Sequence, residues 1–133
     1  MAESEGLKRA LSVLGPLEAR VMEVVWQHQV PETFVVRDVQ ARMPQLAYTT
    51  VMTILTRLAR KGVLQSEALP GQRAYRYRAA VTPDQFLVQA TRQQVGLLVD
   101  RYGEVALAAF ADRLDHLTVD QRRALKKLAE EKP

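Results

Sequence analysis

Residues 47–61 read AYTTVMTILTRLARK, and the way these positions divide between two faces decides the fold. Val51, Ile54, Leu55 and Leu58 recur three and four residues apart, the spacing of one apolar helix stripe. Thr49, Thr50, Thr53, Thr56, Arg57 and Arg60 fall on the other side, with no Asp or Glu among them. Solvated helix faces ordinarily mix both charge signs, because opposite pairs aid stability and solubility. An acid-free face of short hydroxyls and Arg instead suits a DNA major groove. Arg can donate two hydrogen bonds to guanine O6 and N7, and Thr carries a hydroxyl plus a methyl that can meet the thymine C5-methyl. The plainer alternative is a polar face that happens to lack acids. Gly62 follows as the helix stop.

The flanking sequence gives this helix a setting. Upstream, Gly15-Pro16 opens a helix with Pro at its first position. Leu17, Val21, Val24 and Val25 form its apolar stripe, Trp26 anchors it, and Pro31 is expected to end it. A shorter helix runs from Val36 to Met43, with Val36, Val39 and Met43 inward and Pro44 beyond. Residues 1–13 are expected to be loosely ordered. Downstream, Leu64 to Leu69 and Ala74 to Ala79 read as strands around Pro70-Gly71, which suits the centre of a type II turn. Tyr75 and Tyr77 share one face of the second strand, Arg76 and Arg78 the other. Three helices and then a basic hairpin make a mainly α fold, a winged helix-turn-helix over residues 1–80. The hairpin Arg side chains would meet phosphates at the edge of the same site.

Residues 81–133 read as a helical dimerisation segment. Thr82, Pro83 and Gln85 start a helix as N-cap, N1 and N3, and Gly103 breaks it. A second helix spans Val105 to Leu114, and Thr118 caps a third. Phe86, Leu87, Leu98, Leu107, Phe110, Leu114, Leu125 and Leu128 are more apolar surface than a lone segment of this size can cover. They are expected to pack against a second copy rather than stand alone.

Composition narrows the function classes. The chain has 133 residues, 47% hydrophobic and 26% charged, so it should fold, as a single compact unit or as a small domain carrying a shorter accessory segment. It has no Cys, which excludes disulfides, thiolate metal sites and cysteine nucleophiles. His28 and His116 lie too far apart for a helical metal pair, and neither a metal nor a cofactor is expected. No GxSxG, P-loop or GxGxxG is present, so no enzymatic activity is expected. No apolar run approaches the ~18 residues of a membrane span, and the apolar stretch after Lys8 and Arg9 is too short for a signal peptide. A cytoplasmic chain without membrane insertion is expected. Net charge is +4, and its distribution says more than its size. Residues 44–79 hold six basic side chains against Glu67 alone, whereas residues 80–133 hold eight of each sign. A local basic patch beside a neutral half is the electrostatic footprint of a polyanion binder.

Leu14-Gly15-Pro16-Leu17-Glu18 with Val21-Met22 and Trp26, then residues 47–55 with Arg57-Leu58, Lys61-Gly62 and Tyr75-Arg76-Tyr77, together resemble the penicillinase-repressor family, the BlaI/MecI/CopY type. The resemblance implies a homodimeric winged-helix repressor of double-stranded DNA, with interlocking C-terminal helices and a palindromic operator. It implies Thr49, Thr50, Thr53 and Arg57 as base-facing residues, with Arg73 and Arg76 of the wing near the backbone. Arg60 and Lys61 complete the basic end of the candidate DNA-binding set. The copper-responsive branch carries C-terminal Cys ligands, which this chain lacks, so copper sensing by that route is excluded. The β-lactam-responsive branch is inactivated by proteolysis at an Asn-Phe bond, which implies a membrane sensor-protease as partner and cell-wall stress as stimulus. The counterpart here is Ala109-Phe110, which keeps Phe and lacks Asn. Two other classes stand beside this reading. One is a winged-helix protein-interaction module whose Thr/Arg face meets an acidic protein; the other is a nonspecific architectural DNA binder. The Thr-rich face speaks against the latter, since Thr adds little phosphate affinity.

Overall fold

The computed structural model describes residues 2–72 and 74–130. In chain order the elements are α1 (Ala2–Val13), α2 (Pro16–Trp26), α3 (Val36–Arg42), α4 (Tyr48–Arg60), β1 (Leu64–Ala68), β2 (Tyr75–Ala79), α5 (Pro83–Tyr102), α6 (Glu104–Leu114) and α7 (Val119–Glu130). Packing divides the chain after Ala90, so the first two turns of α5 belong with the winged helix rather than with the C-terminal helices.

Within the first unit, three helices close one core. Val21, Met22, Val39, Val51, Leu55 and Leu58 are fully buried, with Val24, Val25, Val36, Met43 and Ile54 nearly so. The α4 stripe therefore packs as its spacing predicts. On α2, Met22 joins the core while Leu17, in the first turn, stays 39% exposed. For residues 1–13 loose order was expected, and Ala2–Val13 instead form α1. Leu7, Ala10, Leu11 and Leu14 have helical spacing, and Ala10 is fully buried with Leu11 and Leu14 against the core. That buried stripe is the tertiary gain that holds α1 as a helix.

The helix ends follow from backbone hydrogen bonding. Gly62, at φ +80°, follows α4, with N–H donation from Gly62 to Ala59 O and from Val63 to Leu58 O. This Schellman end brings buried Val63 onto buried Leu58. The same motif ends α2, where His28 and Gln29 donate to Val25 O and Val24 O. His28 holds φ +58° there, so α2 stops at Trp26 well before Pro31, the stop expected from sequence. Thr82 and Gln85 cap α5 reciprocally at 3.1 and 2.9 Å, and Thr118 and Gln121 repeat the arrangement at 3.1 and 3.0 Å.

The wing is an antiparallel hairpin with Leu64 opposite Ala79 and Ala68 opposite Tyr75. Its turn closes by donation from Gln72 N–H to Leu69 O at 3.2 Å, with Gly71 at φ +71°. That is the type II geometry Pro70-Gly71 encodes. Phe34 and Tyr77 exchange both backbone hydrogen bonds, at 2.9 and 2.7 Å, and their rings stack at 6.1 Å. The wing is thereby fixed to the segment between α2 and α3. The start of α5 is fixed as well: Trp26 Nε1–H donates to Val81 O at 3.0 Å, and the Trp26 and Phe86 rings lie 6.0 Å apart.

The second unit carries the rest of α5, then α6 and α7. Among its described residues Ala106 is the one buried apolar side chain. Leu97, Leu98, Tyr102, Leu107, Leu114 and Leu125 are each 41–55% exposed.

Candidate nucleic-acid interface

Helix α4 owes its charge to what it omits. It contains no carboxylate, and its last turn carries Arg57 and Arg60. Thr49, Thr53, Arg57 and Arg60 lie exposed on the side opposite the core, while Thr50 is half-buried at its edge. Thr53 Oγ1–H donates to Thr49 O at 2.9 Å, and Thr56 Oγ1–H donates to Met52 O at 2.9 Å. Both hydroxyls spend their proton on the helix, so each offers lone pairs and a methyl rather than a donor. Among the described residues, neither Arg57 nor Arg60 has an ion-pair partner.

The remaining sequence-designated cations differ. Lys61 Nζ pairs with Glu18 at 2.8 Å, and Glu18 is 8% exposed. This pair joins the end of α4 to the start of α2, where Glu18 also accepts the Gly15 N–H at 3.4 Å. Arg76 donates to Glu67, its opposite residue in the hairpin, at 2.6 Å. That hydrogen bond and the guanidinium charge hold the Glu67 carboxyl below the usual carboxylate range. Arg73 lies outside the described residues. The structure thus brings Thr49, Thr53, Arg57 and Arg60 together as one free surface, with Lys61 and Arg76 already engaged.

Some residues of this surface are missing from the sequence reading. The Arg37 guanidinium carbon of α3 lies 5.9 Å from the Tyr48 ring centroid, which places a cation beside the start of α4. No spacing rule links Arg37 to Tyr48; only the packing of α3 on α4 does. Met52 and Tyr75, 41% and 52% exposed, flank the Thr/Arg face on the wing side. Tyr77 is buried beneath, and burial raises its phenol above the ordinary range, so it stays neutral.

The apolar set assigned to dimerisation separates into two groups. Phe86 is buried in the core of the first unit, and Leu87 packs half-buried against it. Both serve the chain's own fold, because the winged-helix core extends to Ala90. Leu98, Leu107, Leu114 and Leu125 are exposed in the second unit, and Phe110 is half-buried. The Leu128 side chain lies outside the described ones. The Ala109-Phe110 bond sits inside α6. Among the described residues no three His, Asp or Glu side chains cluster to hold a metal, and no helix is long and apolar enough to cross a membrane.

Comparison with known proteins identifies relatives of the chain. The chain is 35% identical over 130 residues to "Transcriptional regulator BlaI" of Mycobacterium tuberculosis in two strains, covering 89% of this chain and 86% of that protein. A possible transcriptional regulator from Methanosarcina mazei overlays at a TM-score of 0.46 with 20% identity, covering 74% of this chain and 87% of the other. A mutant MarR from E. coli complexed with operator DNA overlays at 0.44 with 16% identity, covering 98% and 84%. Those two structural likenesses are too distant to carry any role across. The penicillinase repressor family model matches residues 14–131, and with the relative above it settles the matter: this chain is a transcriptional regulator of the penicillinase repressor family, which is not a family of enzymes.

Proposed function

We propose that the chain is a cytoplasmic, homodimeric repressor that binds a palindromic operator through α4, with the wing beside it. The observation that carries this reading is the free, acid-free surface of Thr49, Thr53, Arg57 and Arg60. Arg57 and Arg60 supply donors for guanine edges; the Thr side chains supply methyls and acceptors for thymine and for exocyclic amines. Arg37 and Arg76 would border this surface, at the edge where phosphates run. The exposed apolar residues of the second unit supply the pairing surface that a two-fold operator demands. The test is titration of a palindrome selected from random duplexes against its scrambled sequence, repeated across salt concentrations. A preference of at least about a thousandfold is expected of a specific reader. Equal affinity for both duplexes identifies an architectural binder, and no duplex binding identifies a protein-interaction module.

In this reading a membrane sensor-protease would release the repressor by cutting at Ala109-Phe110. Ala109-Phe110 lies within α6, so cleavage there would first require the helix to open. The bond also lacks the Asn that the resemblance calls for.

A further inference from the structure

The wing-side edge of α4 is apolar where the rest of its outer face is not. Tyr48, Met52 and Tyr75 are 40%, 41% and 52% exposed, although all three lie beside a polar surface. Met52 and Tyr75 together line two adjoining hollows. One, of about 250 Å³, lies toward Arg37 and Tyr48; the other, of about 370 Å³, lies toward Thr56 and Arg57. An exposed Met beside the wing does nothing for the core, and water gains nothing from it. Thr56, next to it, has given its hydroxyl proton to Met52 O and so presents a methyl and lone pairs. Thr53 has done the same with Thr49 O.

Resting on the DNA-binding reading above, we infer that Met52, walled by Tyr75 and flanked by the Thr56 methyl, reads a thymine C5-methyl in each operator half-site. The thymine methyl is the one apolar group on the major-groove edge of a base pair, and an apolar side chain is what recognises it. Arg57 and Arg60 then read guanine on the same face, so the half-site combines a thymine at the wing edge with guanine nearer the end of α4. Arg37, held over Tyr48, keeps a cation outside this apolar edge and excludes no base by itself.

The experiment uses the full chain and a palindrome selected from a random duplex pool. Each thymine in one half-site is replaced in turn by uracil, which removes only the methyl. At one position the wild type should bind roughly fourfold more weakly, the factor that burying one methyl-sized group contributes. Met52→Ala should bind the thymine and uracil duplexes alike, and Met52→Leu should keep most of the difference. Met52 is exposed, so both variants should melt as the wild type does. A selected operator indifferent to uracil at every position would overturn this inference and leave the DNA reading standing. Undiminished discrimination by Met52→Ala would overturn it equally. A pool that yields no preferred duplex would overturn the DNA reading and this inference together.

Discussion

Arg57 and Lys61 are four residues apart on one basic helix end, yet their surroundings assign them different work. Arg57 is free, so Arg57→Ala should weaken binding to the selected operator by about 1–3 kcal/mol and relax choice at one position per half-site. Equal weakening on scrambled DNA would make it a phosphate contact instead. Lys61 is held by buried Glu18, so Lys61→Ala should lower stability more than it lowers specificity. Nothing in the sequence distinguishes the two, because the Lys61 partner lies 43 residues away and meets it only when α2 packs on α4. Arg76 is engaged by Glu67, whose carboxyl stays ionised to below its usual range. Protonation would release Arg76 only in that low range, so the wing's share of DNA affinity should be flat across about pH 5–8. Glu67→Gln should do what acid does and steepen the salt dependence by about one unit. An unchanged slope would place the wing off the DNA. Sequence excludes His28 from a helical metal pair and says nothing of its backbone, which occupies the left-handed position that Gly fills after α4. His28→Gly should therefore raise stability by about 0.5–1 kcal/mol in thermal or denaturant unfolding, the strain relieved less the added freedom of the unfolded chain. A loss of stability would mean that the imidazole makes a contact worth more than that strain.

Elements with strong local signals were readable from the sequence. The stripe of α4, the Pro70-Gly71 turn and the Thr82 cap all rest on residues within a few turns of each other, and each appears as spacing predicts. Two elements were not readable, for the opposite reason. Helix α1 has a short stripe broken by Gly6 and Ser12, and it becomes a helix by burying Ala10 when it packs on α2. The opening of α5 looks like the start of a dimerisation helix, but Trp26 claims it through Val81 and Phe86. This moves the practical edge of the winged helix. A fragment ending at Ala90 should unfold cooperatively, whereas one ending at Ala80 loses Val81, Phe86 and Leu87 from the core. By analogy with core Phe→Ala changes, that loss should destabilise by at least about 3 kcal/mol. Denaturant unfolding of both fragments checks it, and equal midpoints would show that the Trp26–Phe86 contact contributes little.

At the scale of the molecule, the charge asymmetry seen along the sequence follows the division of the chain into two packing units. The basic segment forms α4 and the wing, and the nearly neutral segment after Ala90 presents exposed leucines. Leu107 is 54% exposed within this chain, so Leu107→Asp leaves the fold of the protomer unburdened while placing a charge in an apolar pairing surface. Sedimentation should show this variant as a monomer, with operator affinity reduced because the second half-site is no longer held at high effective concentration. A dimer that persists would move the interface away from Leu107. The sequence led to the expectation of a pairing surface in this half but not to the leucines that would form it, because helical spacing marks a stripe without naming what covers it. The most direct measurement is the ratio of affinities for the selected palindrome and for the same duplex with both half-sites scrambled, at about 150 mM salt where nonspecific attraction is screened. A ratio of about a thousandfold or more, falling toward one when Arg57 and Arg60 are both changed to Ala, is the result expected of α4 as the reading element. A ratio near one for the wild type would contradict it.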